Sequence, residues 1–82
     1  MVTGAIVSGK KLLVFGSGFD QGARISLNGQ PQKTINDMQN PTTSLVSKTA
    51  GKKILRGENV TLQVRNSDGA LSNEFSFTRP VQ

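Results

Sequence analysis

The residues able to do chemistry in this chain are few and narrow in type. Histidine and cysteine are both absent. The Ser–His–Asp and Cys–His arrangements of nucleophilic catalysis therefore lack a base or a thiol, and zinc sites built on those side chains lack their ligands. The carboxylates are Asp20, Asp37, Glu58, Asp68 and Glu74. A pair of carboxylates can act as acid and base in glycoside hydrolysis. Here, however, Asp68 sits in an Asp-Gly turn, Glu74 falls on the outer side of an alternating strand, and Glu58 lies beside a strand start. Their spacing also lacks the alternating oxygen ligands and closing glutamate of a calcium loop. A Ser–Lys pair is compatible with the composition, but no serine occupies a Gly-x-Ser-x-Gly elbow. The expectation is a chain without catalytic residues, cofactor or metal.

The stretch LLVFGSGFDQG, residues 12–22, has the look of a strand entering a phosphate loop. A dinucleotide fingerprint needs G-x-G-x-x-G and then a helix whose N-terminus meets the pyrophosphate. Gly16 and Gly18 have the first spacing, but Gln21 stands at the third position and Gly22 comes one place late. The next segment is ARISLNG, an alternating strand with no helical face. Asp37 lies near the distance of a ribose-binding acid, yet no strand–helix–strand unit surrounds it. No Gly-Lys-Ser/Thr closes a P-loop either. The glycines read as a sharp corner: Gly16 and Gly18 permit bulged or positive-φ backbone as the strand leaves its sheet, and Phe19 folds back to seal the core.

Lys48, Lys52, Lys53 and Arg56 fall within one connection, in a chain of net charge +5. They offer a small anion-facing patch for a glycan, a cell-wall polymer or nucleic acid. The competing reading is a solvated loop whose lysines keep sheet edges from pairing with neighbours. Stacking on single strands or sugars calls for aromatics, and the chain has no Trp or Tyr. Weak, salt-sensitive contact with anionic polymers is the expectation.

These residues must be carried by strands. ARISLNG points Ala23, Ile25 and Leu27 one way and Arg24 and Ser26 the other. NVTLQVRN does the same with Val60, Leu62 and Val64, and NEFSFT with Phe75 and Phe77. Such alternation gives each strand one core face and one wet face, as in antiparallel sheets. KKLLVFG is a buried strand with Leu12 and Val14 on one face, GAIVS a short first strand, and SLVSKT a weaker one. NDMQNPTT is a loop, and in AGKKILRGEN either Ile54 or Leu55 plugs the core. Asn28-Gly29 fits a type I′ hairpin turn, and Asp68-Gly69 reads as the hairpin of the last two strands. Pro31 confines its segment to an edge or to irregular structure. The sum is an all-β antiparallel sandwich of about seven strands. Its core is drawn from Val14, Phe19, Ile25, Leu27, Leu62, Val64, Phe75 and Phe77. The chain, 82 residues long, is expected to be a single domain and one module of a longer protein. Its apolar runs fall short of the roughly 18 residues of a membrane span, so no membrane insertion is expected.

VFGSGFDQGARISLNG resembles the opening of the IPT/TIG family of immunoglobulin-like domains, in which a strand leads into G-x-G-F and an alternating strand. GENVTLQVRNSDGALSNEFSF resembles the family's ending, and the resemblance covers about Ala5 to Thr78. It implies an immunoglobulin-like domain working as a non-catalytic interaction or spacer module of an exported or surface bacterial protein. Its partners would be neighbouring domains or another protein rather than a small-molecule substrate, and it would be a monomer in isolation. An accessory carbohydrate-binding domain, or a nucleic-acid-binding or dimerisation module of a transcription factor, are the alternatives the family offers.

Overall fold

The computed structural model describes residues 1–81. Its strands are β1 (Val2–Ser8), β2 (Lys11–Gly16), β3 (Arg24–Leu27), β4 (Gln30–Pro31), β5 (Ile35–Asn36), β6 (Ser44–Ser47), β7 (Asn59–Arg65) and β8 (Phe75–Thr78). They form two four-stranded sheets, ordered β1-β2-β6-β5 and β4-β3-β7-β8, in which every pairing is antiparallel. This is the immunoglobulin arrangement, with an added strand beside the third. The strands number eight rather than about seven. The strand that the sequence pattern does not announce is β5, whose two residues pair with β6; a pair that short shows no alternation to read.

The inner faces obey the alternation. Leu12, Val14, Phe19, Ile25, Leu27, Leu62, Val64 and Phe77 are all buried, with Val2, Leu45 and Val60 beside them. Full burial of one such aliphatic side chain contributes about 1.5–3 kcal/mol. Phe75 departs from expectation: it is half-buried and packs against the core from its margin. The cause lies in the strand pairing. Leu62 faces Phe75 while Arg65 faces Leu71, so the β8 side carries an extra residue. Phe75 thus emerges beside a bulge on an edge strand, where neighbours cover it from one side only.

The bulge frees Asn73 for a different task. Its Oδ1 accepts from the Val2 N–H at 2.8 Å and its Nδ2 donates to the Val2 carbonyl at 3.1 Å. The side-chain amide thereby pairs with β1 as a strand would, tying one sheet to the edge of the other. Val2 is buried, so the first strand begins earlier than GAIVS indicated.

Ile54, not Leu55, is the plug: Ile54 is fully buried and Leu55 is exposed. A 3-10 helix, Ala50–Lys53, sets this choice. It rests on the β1–β2 hairpin, where Gly51 N–H donates to the Lys10 carbonyl at 3.0 Å. Arg79 folds back onto it and donates to the carbonyls of Gly51 and Ile54, at 3.3 and 2.5 Å. The packed body therefore reaches beyond residues 5–78 at both ends.

Asn28 (φ 50°) and Gly29 (φ 84°) form the left-handed pair that a type I′ turn requires. Where Pro31 has no N–H, the Ile25 backbone is satisfied by Gln32 N–H and Thr34 Oγ1, at 2.8 and 3.0 Å. Gly18 and Gly69 also have positive φ, 76° and 93°. Gly16 is needed for a different reason than expected. Its φ is not positive, but a Cβ there would collide with the Met1 carbonyl oxygen and lie 2.8 Å from the Phe19 ring.

Candidate functional site

The glycine corner and the Asn-Ser-Asp-Gly turn meet at one end of the sandwich. β2 ends at Gly16 and the next regular element is β3, so the corner leads from strand to strand. Asn66 Oδ1 accepts from Asp20 N–H at 3.2 Å, and its Nδ2 donates to the Gly18 carbonyl at 3.0 Å. The Asp20 carboxylate accepts from the hydroxyl and the N–H of Ser67. Asn36 adds a bond from its Nδ2 to the Asp20 carbonyl at 2.8 Å. The polar groups of this corner are spent on one another. Asp68 accepts from Ala70 N–H, and Asp37 accepts from Gln39 and Asn40 N–H in a local turn. The hollow beside the corner, lined by residues such as Met1, Phe19 and Leu71, measures about 70 Å³. No three His, Cys, Asp or Glu among the described residues come together as a metal group would.

The opposite end gathers the basic residues. Lys48 comes directly after β6, whose Ser47 stands opposite Leu12. Lys52 and Lys53 close the 3-10 helix, and Arg56 lies just beyond in the exposed loop. The helix lies so close to the hairpin that a Cβ at Gly51 would come within 2.5 Å of the Lys11 carbonyl oxygen. Lys10 and Lys11 are thereby brought to the same end as Lys48 and Lys52. Sequence reasoning missed them, because only the docking of the helix onto the hairpin joins the two segments. The acids that the corner and the two turns use, Asp20, Asp37 and Asp68, lie at the other end. Glu58 is the carboxylate near the basic end, and it accepts from Leu55 N–H at 2.9 Å.

Lys53 differs from its neighbours. Its Nζ donates to Gln32 Oε1 at 2.8 Å, and Gln32 is a buried polar side chain. All four basic residues are exposed, but Lys53 has a structural duty through this bond to Gln32. Lys48 also borders a depression of about 430 Å³ with Lys33, Thr34, Ile35 and Thr49. A second open depression, of about 450 Å³, includes Arg24, Ser26, Arg65 and Ser67. In it Arg24 and Arg65 face each other across β3 and β7. Chemically, these surfaces can attract anions. Compared with known protein families, curated proteins and solved structures, the chain finds no match.

Proposed function

We propose that this chain is a non-catalytic interaction or spacer module of a larger, exported or surface-displayed bacterial protein, of the IPT/TIG type that its two motifs resemble. The observation that carries this reading is the use made of those motifs. Gly18 and Asp20 in the first, and Asn66 and Ser67 in the second, bond to each other across the end of the sandwich. Residues committed in this way hold loops in shape and leave little for substrate. Function then rests on surfaces carried by a rigid body, since the fold alone does not define it.

The gathering of Lys10 and Lys11 beside Lys48 and Lys52 supports a subsidiary role, contact with anionic polymers. Sedimentation and binding isotherms test both. The isolated domain is expected to be a monomer and to bind heparin or DNA weakly, with no sequence preference. That binding should fade towards physiological salt as counterion release loses its force. Sequence-selective DNA binding would favour the transcription-factor reading instead, and tight salt-resistant glycan binding the carbohydrate-binding one.

A further inference from the structure

The outer faces of the two sheets differ in kind. On β4-β3-β7-β8 the outward pairs are Arg24 with Arg65, Ser26 with Gln63, and Thr61 with Ser76. That is an ordinary solvated face. On β1-β2-β6-β5 the register places Ile6 opposite Leu13, Leu13 opposite Val46, and Val46 opposite Ile35. An unbroken apolar row thus crosses all four strands of that sheet. Its ends are well exposed, Ile6 at 50% and Ile35 at 49%, with Leu13 and Val46 half-buried between them. At about 4.8 Å between strands, the row is roughly 14 Å long.

A row of lysines runs beside it. Lys11 is outward-facing on β2, opposite Ser8. Lys48 directly follows β6, whose last residue Ser47 pairs with Leu12, the neighbour of Lys11, and Lys48 shares a depression with Lys33 and Ile35. The surface is therefore amphipathic across the strands: an apolar stripe with a cationic border along one side.

We propose that this face docks an acidic amphipathic segment of another protein, its apolar side chains on the Ile6–Leu13–Val46–Ile35 row and its carboxylates on Lys11, Lys48 and Lys33. The inference rests on the chain's being an interaction module rather than a spacer alone. Charge complementarity selects the occupant. The two rows contain no carboxylate, so a second copy laid on the same face would bring more lysines and no counter-charge. An anionic membrane is less suited, because the chain has no Trp or Tyr to anchor at an interface.

The test is an NMR titration of the isotope-labelled domain with a short synthetic amphipathic peptide of leucines flanked by glutamates, and with its counterpart bearing lysines for the glutamates. Saturable shifts confined to Ile6, Leu13, Val46, Lys48 and their neighbours are expected with the acidic peptide only. Ile6→Ser with Ile35→Ser should abolish them at unchanged melting temperature, since both residues are half exposed. Lys33→Glu with Lys48→Glu should weaken binding about tenfold or more, a change of about 1.4 kcal/mol. A silent face at saturating peptide, equal binding of the lysine peptide, binding of phosphatidylglycerol vesicles instead of peptide, or dimerisation through this face would each overturn the proposal. A folded, monomeric domain with a silent face would leave the spacer reading standing. Sequence-selective DNA binding or tight glycan binding would remove that reading itself.

Discussion

Ser67 is held to Asp20 twice: its hydroxyl donates to the carboxylate at 2.7 Å and its N–H at 3.1 Å. The residues are 47 positions apart, so the bond closes a large loop and joins the crossing between sheets to the β7–β8 turn. Asn66, next in line, satisfies Asp20 N–H and the Gly18 carbonyl with one amide. Backbone groups at a corner cannot be left unpaired without cost, and these side chains supply what a strand partner would supply elsewhere.

Asn66→Ala should therefore destabilise the domain by about 1–2 kcal/mol, since it leaves the partly buried Asp20 N–H without a partner and frees the Gly18 carbonyl. Urea titration measures it. Amide exchange at Asp20 should accelerate in the same variant. A change within about 0.5 kcal/mol, the range of ordinary surface substitutions, would show the corner to be held by packing alone.

Phe77 and Phe75 share a strand face but not an environment. Phe77→Ala should cost about 3–5 kcal/mol through lost burial and the cavity left behind. Phe75→Ala should cost about half that, because the bulge leaves its ring at the margin of the core. Paired denaturant titrations give the comparison, and equal losses would contradict the burial difference.

The basic connection should split under mutation. Lys48→Gln, Lys52→Gln and Arg56→Gln together should leave stability within about 0.5 kcal/mol, as exposed charges contribute little. Lys53→Gln should cost about 1 kcal/mol, because it strips the buried Gln32 carbonyl of its donor. Thermal melts of the triple and the single variant separate the two effects, and a neutral Lys53→Gln would mean that water replaces the ammonium.

Ser47 is fully buried opposite Leu12, and its hydroxyl has no hydrogen-bond partner. Ser47→Ala should stabilise the domain by about 1 kcal/mol, since it removes a desolvated polar group at little loss of volume. A destabilised variant in the same urea assay would point to a water bound beside the hydroxyl.

The sandwich was legible because its strands carry period-two runs of Ile, Leu, Val and Phe, and because Asn28-Gly29 marks a turn by chemistry that few other pairs satisfy. What escaped reading was non-local. The Phe75 margin depends on a bulge that leaves Phe75 in the same alternation as Phe77. The need for glycine at position 16 comes from the Met1 carbonyl, which arrives there only after β1 folds against β2. The choice between Ile54 and Leu55 was open because a single turn of 3-10 helix rotates one inward and the other out, and Ala-Gly-Lys-Lys carries no apolar period to announce it. The basic end could be half seen, since Lys48 to Arg56 are contiguous, but Lys10 and Lys11 join only through tertiary docking. Nor did the sequence mark the apolar row, because its members are drawn one each from β1, β2, β6 and β5 and look like isolated hydrophobes until the registers are set.

The amide of Asn73 has a bearing on solubility. An outermost strand offers a ladder of unused donors and acceptors to any extended chain that drifts past, and growth of sheets from one molecule to the next begins there. β1 is outermost in its sheet, and at Val2 both of its outward groups are already occupied by Asn73. A side chain here does the work of a blocking strand at one position, so that a newcomer finds the first rung taken.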